Sequence, residues 1–127
     1  MIKLKDLLLE RIDYLDTAEY LVKQYKLKSK IKFNRGSTKA DYDWMKDIIY
    51  LRTSYSSVKD FLITVLHEID HAKDAYRMGK RKYEDEYQKA GDLAVHQGRD
   101  FHDDNKFEED AEKWANKHIS IWMKKIK

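Results

Sequence analysis

His67 and His71 are four residues apart in the segment HEIDH, and Glu68 directly follows the first of them. On an α-helix, side chains four apart lie on one face, one turn apart, so both imidazoles can reach the same ion. Neutral imidazole is a good zinc ligand. Glu68 is offset from that face by one residue, where it could take a proton from a water on the metal without binding the metal itself. The segment therefore predicts a zinc-dependent hydrolytic site with Glu68 as the general base.

The alternative is an ordinary amphipathic helix whose histidines are solvated or hydrogen-bonded. Two observations favour the metal site. The apolar run FLITVL precedes the motif and predicts a buried helix. An extended segment, IIYLRT, lies just before that helix.

A catalytic zinc usually takes three protein ligands and keeps one position open. A third histidine six residues after His71 is excluded, because Arg77 stands there. Glu108 is the more distant candidate, since it precedes Ala111 and Ala115 at helical spacing. Small residues at these positions would let this helix lie close to the histidine helix and bring a carboxylate to the metal. The alternative for Glu108 is simple helix-end charge, because acidic residues are favoured in a first turn.

Two neighbouring acidic residues have lesser predicted roles. Asp74 lies on the His67–His71 stripe, so it could be a ligand, but we favour it as an acceptor for an imidazole N–H of His71. Glu112 lies one turn after Glu108 and is a poorer fit as a ligand.

The stretch between the two ligand helices could supply a donor that stabilises negative charge on a carbonyl oxygen. The candidates are His96, Arg99, His102, Tyr83 and Tyr87. Each could instead be a core or loop residue, and His102 is the residue we choose. The segment Ile48–Thr53 is predicted to be an edge strand, so Ile49, Tyr50 and Leu51 could bind an extended peptide as an added strand, unless they only fill the core.

The elements that must position these residues follow from periodicity and caps. Helices are predicted over 4–26, 58–78, 83–97 and 106–123, a strand over 30–35 ending at Gly36, and a hairpin from 41–45 and 48–53. Ser57 and Asp60 form a capping pair at the start of the second helix, and Gly79 follows its end. Gly91 weakens the third helix. This order of a helix, a small three-stranded sheet and three helices predicts an α+β fold.

Composition limits the class of protein. The chain has 127 residues, which fits one domain over 1–127. It has no cysteine, so disulfides and thiolate zinc sites are excluded and any metal must be held by histidine and carboxylate. No apolar run is long enough to span a membrane, and the N-terminus is not a convincing signal peptide. We therefore expect a cytoplasmic protein.

The segment IIYLRTSYSSVKDFLITVLHEIDHA, followed by FEEDAEKWA, resembles zincin metallopeptidases with a glutamate third ligand, most of all the ImmA/IrrE-like family. The resemblance implies that His67, His71 and Glu108 hold zinc and that Glu68 is the base. Asp70 departs from the glycine often found in the family, and Glu112 departs from the usual Asn or Asp. Small phage-type proteins are also similar, which would place the protein in the cytoplasm of a host cell.

The sequence thus predicts a zinc metallopeptidase that acts on a peptide or protein substrate. One alternative is a catalytically silent zincin-fold protein whose cleft recognises another protein. A second alternative is association with nucleic acid, suggested by a formal net charge of +3 and the C-terminal run KKIK. Oligomeric state is left open.

Overall fold

The computed structural model describes residues 14–34 and 39–126. Within them lie four helices and three strands, in agreement with the predicted α+β class. In chain order the elements are α1 (Tyr14–Gln24), β1 (Lys30–Phe33), β2 (Asp41–Asp43), β3 (Ile48–Leu51), α2 (Val58–Met78), α3 (Lys80–His96) and α4 (Lys106–Ile126). Residues 4–13 of the predicted first helix, and Gly36 at the predicted end of the first strand, lie outside the described residues.

The three strands form a mixed sheet in the order β1-β3-β2. β2 and β3 form the predicted antiparallel hairpin, with Tyr42 opposite Ile49, while β1 pairs in parallel with β3. The turn between β2 and β3 ends at Asp47, which adopts a left-handed φ of 56° that aspartate tolerates better than most residues. Its carboxylate accepts hydrogen bonds from Ser29 (2.5 Å) and from Tyr42 (2.9 Å). These bonds fix the hairpin beside β1.

This strand order corrects the prediction that β3 is an edge strand. β3 is the central strand, and its backbone is already paired on both sides. Ile49 and Leu51 are fully buried in the core, so they are not available to bind a peptide. The free edge nearest the histidines belongs to β2 instead. Tyr50, whose side chain alternates to the other face of the strand, is half-buried.

Helix α2 begins and ends where the sequence predicts. The Ser57 side chain accepts a hydrogen bond from the Asp60 backbone N–H at 3.0 Å, and Gly79 ends the helix with a φ of 88°. Its apolar face forms the centre of the core together with residues of α1, β3 and α4. The fully buried residues of this face are Phe61, Leu62, Val65, Leu66, Ile69 and Ala72.

Helix α4 packs along α2, as its small residues predict. Ala111 and Ala115 are fully buried between the two helices. Asn105 caps the helix, since its Oδ1 accepts from the Phe107 N–H (2.8 Å) while its Nδ2 donates to the Tyr87 carbonyl (3.1 Å). The cap therefore fixes the start of α4, where Glu108 lies, against α3.

Helix α3 begins three residues before its predicted start and is not interrupted at Gly91. Gly91 is buried because the Phe101 ring packs directly on it, and a Cβ there would lie 2.3 Å from a ring carbon. This contact seats the loop that carries His102 over α3. None of the helices in the described part of the chain combines the length and apolarity needed to cross a membrane.

Candidate metal centre

The three predicted ligands meet at one point between α2 and α4. His67 Nε2 lies 2.8 Å from Glu108 Oε1, and His71 Nε2 lies 2.9 Å from the same oxygen. The two Nε2 atoms are 3.2 Å apart. His71 and Glu108 are buried and His67 is half-buried. This group could hold a metal ion.

The donor set fits a tetrahedral divalent ion. Nitrogen and oxygen ligands lie about 2.0–2.1 Å from zinc, so neighbouring ligands of a tetrahedral site are roughly 3.3–3.4 Å apart. The three separations of 2.8, 2.9 and 3.2 Å approach that spacing. Two neutral imidazoles and one carboxylate leave a fourth position for water or substrate.

Glu68 lies beside this group and has an unusual environment for a charged residue. Only 5% of the residue is exposed, and its Oε2 has no hydrogen-bond partner within the described structure. Its Oε1 is 3.9 Å from His67 Nε2. Burial raises the pKa of Glu68 to about 7, although the histidine charges act in the opposite direction. A buried carboxylate with a pKa near neutrality and a free oxygen has the properties of a general base.

Glu112 contacts the second ring nitrogen of His67. The sequence suggested Glu112 only as a poorly fitting metal ligand. His67 Nδ1 lies 2.9 Å from Glu112 Oε2, so an Nδ1–H donated to this carboxylate leaves Nε2 free to face the metal position. Burial lowers the pKa of His67, but hydrogen bonds to Glu108 and Glu112 and the charge of Glu68 outweigh it, giving about 9. The position of Glu112 one turn after Glu108 was the available signal for this contact.

The second oxygen of Glu108 is also held. Tyr87 donates a hydrogen bond to Oε2, and His102 Nε2 lies 3.3 Å from the same atom. Burial alone would raise the pKa of Glu108, but hydrogen bonds to His67 and His71 hold it well below its usual range. The structure thus brings His102 to the site, and it brings Tyr87 there more closely. Tyr87 was one of five candidates in the sequence, with no local pattern to single it out.

Asp74 is not brought to the site. Its carboxylate accepts a hydrogen bond from Arg77 at 3.1 Å, and His71 Nδ1 is buried without a partner among the described residues. Helical side chains lean towards the N-terminus of their helix. His71 therefore reaches back towards His67 and away from Asp74, which corrects the predicted hydrogen bond.

The metal group lies in a cleft. A cavity of about 380 Å³ on one side of it is bounded by the β2 segment and by α3. Its lining contains Glu68, Asp41, Trp44, Tyr50, Tyr83 and Tyr87. A second cavity, of about 610 Å³, also contains His67, Glu68 and Asp41 and extends to Arg52 and Thr64. His67 and Glu68 thus border both cavities.

Comparisons of this chain with protein-family models, curated proteins and solved structures found no match.

Proposed function

We propose that the protein is a zinc-dependent metallopeptidase. The observation that carries this proposal is the meeting of His67, His71 and Glu108 at 2.8–3.2 Å from one another, with the unpaired Glu68 carboxylate beside them. A solvated amphipathic helix does not require a buried imidazole, a half-buried one and two buried carboxylates to lie together, because each such group costs free energy to remove from water. A bound cation would offset that cost.

Zinc is the ion that this donor set favours. Two histidines and one carboxylate with an open fourth position form a common catalytic zinc site. When bound, zinc supplies Lewis-acid chemistry, polarising a carbonyl oxygen and acidifying a coordinated water.

The residues of the chain supply the remaining chemistry. Glu68 would accept the proton of the attacking water on its carboxylate and later pass it to the leaving amine. Tyr87 holds Glu108 through Oε2, which keeps Oε1 directed at the metal position. His102 is 60% exposed at the mouth of the cleft, where its imidazole could donate to a carbonyl oxygen that gains negative charge.

The substrate would bind along β2 and not along β3. β2 is an edge strand, and residues 40–44 line the cavity next to the metal group. An extended peptide that pairs with the free edge of β2 would pass in front of Glu68. Tyr50 alone of the three predicted substrate residues lines that cavity.

The test combines metal analysis with peptide cleavage. Protein purified without chelator should contain one zinc per chain by atomic emission, and it should cleave members of a mixed peptide library, followed by mass spectrometry. Glu68→Gln should keep the zinc and lose at least about 100-fold in cleavage rate, as expected for loss of a general base. Glu108→Gln should lose the zinc, whereas the matched Glu109→Gln should retain it.

Absence of zinc from the wild-type protein would overturn the proposal, as would a Glu68→Gln variant as active as the wild type. Stoichiometric zinc with no cleavage of any library member would instead support a silent protein-binding module.

A further inference from the structure

The cleft differs in charge from the rest of the molecule. The chain has a formal net charge of +3, yet the cavity between β2 and α3 is lined by Asp41, Asp43, Glu68 and Glu108 and by no lysine or arginine among the described residues. Zinc and the histidines would neutralise the innermost carboxylates. The negative charge that remains lies on the β2 side of the cavity.

Of the two carboxylates on that side, Asp41 is the one less engaged by salt bridges and hydrogen bonds. The salt bridges that lysines and arginines form within the described structure involve Asp60, Asp74, Glu86, Asp104 and Glu109, and Asp41 is in none of them. Asp43, by contrast, accepts hydrogen bonds from the Met45 and Lys46 backbone N–H groups at 3.0 and 3.1 Å, so it serves the hairpin turn.

Asp41 is also close to the reacting groups. It lines two of the three cavities that residues of the metal group also line, and it is paired with Tyr50 across the β2–β3 ladder. Desolvation raises the pKa of the Asp41 carboxyl, and the charge of Glu108 acts in the same direction.

Aromatic side chains complete this end of the cleft. Trp44, Tyr50, Tyr83 and Tyr87 line the same cavity. An ammonium or guanidinium group is attracted to aromatic faces, and its aliphatic stem packs on them. Glu68, whose buried Oε2 has no hydrogen-bond partner among the described residues, lines the same cavity.

We propose that this end of the cleft binds an arginine or lysine side chain of a peptide, with Asp41 as the counter-charge and the aromatic wall around its stem. The inference rests on the proposed function in one respect, namely that the bound peptide is the substrate. The adjoining cavity shares Asp41 and Glu68 but also contains Arg52 and Lys39, whereas no lysine or arginine lines the β2–α3 side, so a cationic side chain is favoured there.

The test measures binding without turnover. Zinc-loaded Glu68→Gln protein is titrated into fluorescein-labelled, blocked alanine–glycine peptides that carry one central arginine, citrulline or glutamate, and anisotropy is recorded. Citrulline has the shape of arginine without its charge. The arginine peptide should bind roughly tenfold more tightly than the citrulline peptide, as expected for one partly shielded ion pair with a cation–π contact.

Introducing Asp41→Asn should reduce that ratio to about two or less, and Asp41→Lys should make the glutamate peptide the tighter ligand. Asp110→Asn removes the same charge from an exposed position on α4 that lines neither cavity, and it should keep the tenfold ratio. Thermal unfolding of each variant checks that it is folded.

Equal binding of the arginine and citrulline peptides, or no binding of either, overturns the inference, as does a preference that survives Asp41→Asn. The proposed function fails separately. A wild-type protein that cleaves peptides without preferring basic residues refutes only the inference, whereas arginine-selective binding together with no cleavage by the wild-type protein refutes only the peptidase.

Discussion

At the scale of single residues, His67 links the two ligand helices through both ring nitrogens. Nε2 lies against Glu108 and Nδ1 against Glu112, one turn apart on α4. His71 has a single carboxylate contact, through Nε2. A carboxylate on the outer nitrogen orients the ring and makes it a better ligand. We therefore expect His67 to be the more strongly oriented of the two histidines.

The same contacts predict how the stability of the metal-free protein depends on pH. The pKa of His67 is raised from 6.5 to about 9, so its contribution is fully present below pH 6.5 and is lost as the pH rises through 9. At about 1.4 kcal/mol per pKa unit, the loss is up to roughly 3 kcal/mol. Urea denaturation of chelator-treated protein at pH 6.5 and 9 measures this difference.

Zinc-saturated protein should not show this loss, because metal binding requires neutral imidazoles and strengthens as protons leave. His67→Gln should remove most of the dependence in the metal-free protein. A free energy of unfolding that is unchanged between pH 6.5 and 9 in the metal-free wild type would contradict the assignment.

At the scale of elements, the loop between α3 and α4 is held by a contact between a glycine and an aromatic ring. Gly91→Ala should destabilise the protein by about 1–3 kcal/mol, because the added Cβ overlaps the Phe101 ring. The same substitution in a Phe101→Ala background should instead stabilise α3 by up to about 1 kcal/mol, since alanine is the better helix former. Chemical denaturation of the wild type, Gly91→Ala, Phe101→Ala and the double variant gives both free-energy differences.

A Gly91→Ala variant as stable as the wild type would show that the ring moves aside at little cost. Since Phe101 directly precedes His102, Gly91→Ala should also slow peptide cleavage more than Phe101→Leu does.

Local signals in the sequence were sufficient for α2, and they indicated the grouping of His67, His71 and Glu108 that the structure shows. The N-cap, the apolar run and the terminal glycine of α2 predict its first and last residues correctly. Helical spacing places both histidines on one side of α2 and Glu108 on the facing side of α4. The strand order was not predictable in this way, because the parallel pairing of β1 with β3 joins segments separated along the chain. Periodicity also gave a wrong prediction at Asp74. Asp74 and His71 lie on the same helix face, but this does not give the direction in which their side chains lean.

At the scale of the whole molecule, the core does not depend on the metal. The apolar face of α2 is buried against α1, β3 and α4 independently of the histidines, and the far ends of α1 and α4 are joined by the Trp122 N–H bond to Tyr25 (2.8 Å). Removing zinc should therefore lower the melting temperature without unfolding the protein.

The size of that effect follows from mass action. Zinc at about 100 times its dissociation constant adds about 2.7 kcal/mol, which for a domain of this size is roughly 10 °C. Scanning calorimetry with and without chelator measures the shift, and Glu108→Gln should melt at the same temperature in both. A wild-type protein that loses its helical circular dichroism on chelation would refute this independence.

The short, charged edge of β2 also bears on self-association. An open strand edge is where copies of a protein stack into fibrils. Here that edge is three residues long, and aspartates at 41 and 43 stand on both sides of Tyr42. A second molecule aligned against it would bring like charges together. The negative charge that would attract a cationic side chain to this edge also disfavours its pairing with the same edge of a second copy of the chain.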